Sequence, residues 1–133
     1  MAANLWVFVE HNDSELDSRA QQLCTEGRRL ATRLSQELWA VLFGEDVTGV
    51  ASDLGRFGVD RVLLAESERL FPYTTELYTD LLAELVGRYE PSIFLLGATS
   101  LGRDLAPRLA TRLHVGYVPD CVRLALDDQQ RLA

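Results

Sequence analysis

Residues 91–113 read PSIFLLGATSLGRDLAPRLATRL. The apolar run Ile93-Phe94-Leu95-Leu96 follows Pro91-Ser92 and ends at Gly97. An uninterrupted run of this length reads as a strand buried on both faces, as in a parallel sheet. Gly97, Thr99, Ser100 and Gly102 then let the backbone turn sharply and approach a neighbour closely. Leu105, Leu109 and Leu113 recur every four residues, with Ala106 and Ala110 beside them, which is helical spacing. Strand, small-residue turn and helix together leave free N–H groups at a helix start, suited to an anion or an acidic partner. Arg103-Asp104 stand straight after the turn as a charge pair able to face a ligand or a neighbouring chain. Pro107 is tolerated best in a first helical turn. The helix is therefore expected to begin near Arg103 or Asp104, with residues 98–102 as a separate turn.

Outward from this unit, strands and helices alternate. Residues 5–9 (LWVFV), 38–43 (LWAVLF), 62–64 (VLL) and 121–126 (CVRLAL) read as further strands. After the polar loop at 10–14, Leu16, Ala20, Leu23, Cys24, Gly27, Leu30, Ala31 and Leu34 share a helical face, with Asp13 or Ser14 as cap. Asp46 or Thr48 is placed to cap a short helix carrying Val50, Ala51, Leu54 and Phe57, ended by Gly58. Leu77, Tyr78, Leu81, Leu82, Leu85, Val86 and Tyr89 form the stripe of a third helix, reached through a loop at Phe71-Pro72. Residues 127–130 (DDQQ) read as a turn leading toward a further strand that is cut short. The alternation predicts a three-layer α/β domain: a mostly parallel sheet in the order 3-2-1-4-5, with helices on both faces. In such a sheet the loop at 10–14 and the turn at 97–103 face each other across the ligand crevice.

The totals exclude several chemistries. A chain of 133 residues, 47% hydrophobic and 25% charged, suits one globular domain. The net charge of −7 opposes general nucleic-acid binding. All thirteen basic residues are arginine, so no lysine is present for a phosphate loop, a Schiff base or a general base. Cys24 and Cys121 lie far apart and read as reduced thiols, and His11 and His114 have no ligand spacing, so no metal site is expected. The N-terminus lacks signal-peptide features, and no run approaches a membrane span, which points to a cytoplasmic domain without membrane insertion.

Candidate catalytic groups are sparse. His11 beside Asp13 has the makings of a general base with an orienting carboxylate, but no nucleophile accompanies it. Ser100 lacks the G-x-S-x-G context of a nucleophile elbow. Arg103, Arg108 and Arg112 make the last helix locally basic. The spacing of Gly97 and Gly102 is not the dinucleotide fingerprint G-x-G-x-x-G. The residues describe a binding or docking domain with no catalytic set.

LWVFVEH at 5–11, FGVDRVLLA at 57–65, GATSLGRDLAPRLATRL at 97–113 and VPD at 118–120 together resemble the alpha subunit of electron transfer flavoproteins. G-A-T-x-x-G-R-D-L-A-P-R is the most specific element, and the likeness runs along essentially the whole chain. The resemblance implies that residues 1–133 are that subunit's N-terminal domain, similar to the adenine nucleotide alpha hydrolase-like fold. FAD is then held mainly by a separate C-terminal domain that the 133 residues do not include, so no cofactor-binding residue is placed here. The resemblance also implies a heterodimer with a beta subunit that holds AMP. The bacterial assembly would take electrons from acyl-CoA or other dehydrogenases and pass them to a quinone reductase or another acceptor. It casts Gly97, Thr99, Ser100, Gly102, Arg103 and Asp104 as a signature turn with a structural or interface role. The alternative, a stand-alone universal-stress-type adenine-nucleotide-binding domain, needs a glycine-rich phosphate loop after the fourth strand, and none is present. An adenylating enzyme of the same superfamily needs S-G-G-x-D-S after the first strand, where this chain reads E-H-N-D-S.

Overall fold

Alternate residues of the central strands face different cores. Leu5, Val7, Val9, Leu38, Ala40, Leu42, Ile93 and Leu95 pack in one cluster. Trp6, Phe8, Val41, Phe43, Phe94 and Leu96 pack in another. A strand buried on both faces needs apolar residues at every position, which is why these segments read as continuous hydrophobic runs. The computed structural model describes residues 4–12, 15–16, 18–70, 72–118 and 123–125. Its elements are β1 (Asn4–Phe8), β2 (His11–Asn12), β3 (Glu15–Leu16), α1 (Ser18–Leu34), β4 (Glu37–Gly44), α2 (Thr48–Asp53), β5 (Arg61–Glu66), α3 (Thr75–Tyr89), β6 (Ile93–Leu95), α4 (Ser100–Leu113), β7 (Tyr117–Val118) and β8 (Arg123–Ala125).

The main sheet runs β5-β4-β1-β6-β8-β7. The expected order of five strands is kept, and β5, β4, β1 and β6 are parallel. Two features differ. β8 joins β6 antiparallel, and β7 adds a sixth strand antiparallel to β8. The reason is the connection: only four residues lie between β7 and β8, which suits a hairpin, whereas a parallel return needs a crossover of a dozen residues or more. Helix α1 supplies Ala20, Cys24 and Ala31 to the first cluster, joined by Val50 and Leu54 around α2. Tyr78 and Leu82 of α3, with Leu105, Ala106, Leu109 and Ala110 of α4, cover the other face. Each large apolar side chain so enclosed contributes about 1.5–3 kcal/mol. Cys24 is fully enclosed in the first cluster, and burial pushes its thiol up to about 11, the state of an inert core cysteine.

Local signals were kept in some places and replaced in others. Gly58 ends the 3-10 turn at Leu54–Phe57 with φ of 87°, a conformation suited to glycine. Helix α2 has no side-chain cap from Asp46 or Thr48. Instead the Glu66 carboxylate of β5 accepts from Val47 N at 3.0 Å and from Thr48 Oγ1 at 3.1 Å. Leu16 belongs to the small β2–β3 hairpin and not to α1. The expected caps Asp13 and Ser14 lie outside the described residues, as do Phe71, Pro119, Asp120, Cys121 and the turn at 127–130. No helix among the described residues is long and apolar enough to cross a membrane.

Candidate functional site

Helix α4 begins earlier than Pro107 led one to expect. Thr99 is its N-cap, in extended conformation, and its Oγ1 accepts from Gly102 N at 3.1 Å. A threonine cap satisfies one of the free N–H groups and fixes the first turn. Ser100 is therefore the first helical residue and is exposed, and Pro107 falls inside the helix. Proline there removes the N–H that would bond the Arg103 carbonyl, a cost of about 3 kcal/mol in a helix interior. Burial of Leu105, Ala106, Leu109 and Ala110 offsets it.

The two facing loops do meet. Thr99 Oγ1 donates to Glu10 Oε2 at 2.6 Å, so the end of β1 is bonded to the cap of α4. A carboxylate of the chain itself thus stands beside the positive end of the helix, a favourable placement. Gly97 and Gly102 are there for clearance. A Cβ on Gly97 would lie 3.2 Å from Glu10 Oε2, and one on Gly102 would lie 1.9 Å from the Gly97 carbonyl oxygen.

Arg103 and Asp104 do not act as a pair. Arg103 is exposed and donates through Nε to the Ala98 carbonyl at 3.4 Å. Asp104 turns toward α3, where it accepts from Tyr73 Oη at 2.7 Å and from Thr75 Oγ1. Arg108 Nε stands 3.6 Å from its other oxygen. The direction of a helical side chain follows its face, and neighbours in sequence point 100° apart. The Thr75 and Tyr73 hydroxyls hold the Asp104 carboxyl below the usual carboxylate range. Burial, reinforced by the neighbouring Asp104 charge, pushes the Tyr73 phenol up to about 12.

A pH dependence follows. The lowered Asp104 contributes stability that is present in full above the ordinary carboxylate pKa and is lost as pH falls through its lower folded value. The raised Tyr73 contributes stability that is complete below its ordinary value near 10 and is lost as pH rises through about 12. Thermal unfolding of Asp104→Ala beside the wild type should show a difference that is constant from pH 5 to 9 and narrows toward pH 2. A gap still undiminished at pH 2 would rule out the charged form as its source.

At the ends of β1 and β4 lies a crevice of about 230 Å³, walled by Phe8, Phe43, Tyr73 and Tyr78, with Glu10 and His11 adding polar atoms and Leu101 reaching it from α4. His11 Nε2 lies 2.8 Å from the Phe43 carbonyl oxygen, so this nitrogen is assigned the proton and donates, while Nδ1 is buried with no partner among the described residues. His11 fastens the β2–β3 hairpin to β4, and Asp13 lies outside the described residues. The FAD implied by the resemblance does not fit here. Drug-sized ligands take pockets of about 300 Å³ or more, and a carboxylate stands beside the α4 start, where phosphates require donors.

The functional residues without a signal of their own in the sequence are Glu10 as the partner of Thr99, Tyr73 and Thr75 as donors to Asp104, and Thr79 on α3, beside α4 residues in a shared groove. Only the Y-T-T run just ahead of a helix hinted at the second group.

Comparison with known proteins agrees with this architecture. The family model described as electron transfer flavoprotein domain matches residues 5–133. Electron transfer flavoprotein subunit alpha of Clostridium acetobutylicum is 39% identical over 127 residues, covering 96% of this chain and 38% of that protein. Protein FixB of Clostridium saccharobutylicum is 41% identical over 123 residues, covering 92% and 36%. Acryloyl-CoA reductase electron transfer subunit beta of Anaerotignum propionicum is 39% identical over 124 residues, covering 93% and 34%. The chain spans little more than a third of the length of these relatives. With the match running from the first strand to the last residue, and the closed turn between β6 and α4 lying within it, the chain belongs to the electron transfer flavoprotein domain family.

Proposed function

We propose that this segment is the N-terminal unit of an electron transfer flavoprotein alpha subunit, a cytoplasmic electron carrier and not an enzyme. Its work is to hold and orient: it packs against a beta subunit and against flavin-bearing polypeptide, and the redox group lies outside residues 1–133. The family match over residues 5–133 carries this reading. A crevice unsuited to a dinucleotide supports it. Acyl-CoA or other dehydrogenases are the donors that fit, a quinone reductase or another acceptor follows, and AMP belongs to the beta subunit. The stand-alone universal-stress-type role is disfavoured by the same match.

In this reading Arg103 reaches from the start of α4 to a neighbouring polypeptide. The test is assembly of an alpha subunit carrying this segment with its beta subunit, followed by sedimentation. Arg103→Ala is expected to weaken assembly at least about fivefold, while the thermal midpoint of the segment stays within about 2 °C, as for most exposed substitutions. Unchanged assembly would remove Arg103 from the interface.

A further inference from the structure

We propose that the groove between α3 and α4 docks an acidic polypeptide segment through Arg103, Arg108 and Arg112. The groove has a volume of about 690 Å³ and is lined by three arginines, with the Asp104 carboxylate in its wall and that of Asp80 beside Arg112, which leaves one positive charge in excess. This is a local excess of positive charge on a chain of net charge −7. Complementary potential of this kind selects a partner of opposite sign and speeds its encounter.

The guanidinium groups are available. Among the described residues Arg103 has no carboxylate within ion-pair distance, and its guanidinium donates through Nε to the Ala98 carbonyl. Arg108 leans on Asp104 at 3.6 Å and Arg112 on Asp80 at 2.5 Å, yet their side chains remain 63% and 52% exposed. Each guanidinium carries five N–H donors in a planar fork suited to carboxylates, so most stay open to a ligand. Arg108 and Arg112 are one helical turn apart, about 6 Å along the axis. Carboxylates two residues apart on an extended peptide are separated by about 6.6 Å, which matches that rise. Thr79 also lines the groove; it is 8% exposed and its Oγ1 has no hydrogen-bond partner among the described residues. A buried hydroxyl without a partner is destabilising.

This deepens the assembly reading by naming the chemistry of the partner surface, and its test needs no beta subunit. Hexaglutamate is titrated into the isotope-labelled chain at low salt, with amide shifts followed by NMR. Shifts are expected at 79 and 103–112, with affinity falling at least about fivefold between 20 and 150 mM salt as screening sets in. Arg103→Gln with Arg108→Gln should weaken binding at least about fivefold while the thermal midpoint is kept. Arg56→Gln, on the short turn after α2, should leave binding unchanged. The proposal is overturned by an absence of groove shifts, by equal affinity in the double variant, or by inorganic phosphate shifting the same amides as strongly at equal concentration. Peptide binding without subunit assembly would sink the flavoprotein role and leave the groove standing. Assembly without peptide binding would do the reverse.

Discussion

Gly102→Ala is expected to lower the stability of the domain by about 3 kcal/mol, at the upper end of what overpacking costs. The added methyl carbon would sit 1.9 Å from the Gly97 carbonyl oxygen and 3.1 Å from its carbonyl carbon. Both are backbone atoms of the strand-to-helix turn, so no side-chain rotation relieves the clash. Either α4 moves off the sheet, or the turn opens and the bond from Thr99 to Glu10 is lost with it. For a chain of this length the corresponding fall in thermal midpoint is about 10 °C. Differential scanning calorimetry of the variant beside the wild type measures it. A fall under 3 °C would mean that the helix start does not pack on Gly97 as described. The sequence pattern G-x-x-x-x-G at this turn is therefore a requirement for clearance before it is anything to do with a ligand.

Thr99→Val should cost about 2 kcal/mol for a different reason. Valine keeps the shape and the extended backbone preference but removes the hydroxyl. That hydroxyl accepts from Gly102 N and donates to Glu10 Oε2. Loss of a threonine cap costs about 1 kcal/mol, and a part-buried carboxylate deprived of a donor adds a further ~1 kcal/mol. Chemical denaturation should show a lower midpoint with an unchanged slope, the mark of altered stability without altered compactness. In the double variant with Glu10→Gln the effects should be less than additive, because both substitutions break the same bond. Full additivity would separate the two loops energetically and contradict the link between β1 and α4.

These two residues also show what the amino-acid order reveals and what it hides. The strand at residues 93–95 and the strand order were legible because continuous apolar runs have one economical use, burial on both faces. Ile93, Phe94 and Leu95 are each at most 1% exposed. The facing of the two loops followed from that order alone. The start of α4 was misjudged because Pro107 is a strong local signal, while the Thr99 cap and the packed interior of the helix outweigh it. The direction of Asp104 was hidden because its donors, Tyr73 and Thr75, are about thirty residues away and meet it only once α3 and α4 pack together. The antiparallel entry of β8 was hidden for a related reason. Its apolar pattern is the same in either direction, and the short link from β7 decides the matter.

The redox group is expected to be held by polypeptide other than residues 1–133. Residues 1–133 are refolded or expressed with excess FAD, passed through a desalting column, and scanned between 350 and 500 nm. The predicted result is a protein peak with no flavin absorbance, retaining its folded circular dichroism. Flavin co-eluting at one mole per mole of this chain would contradict it.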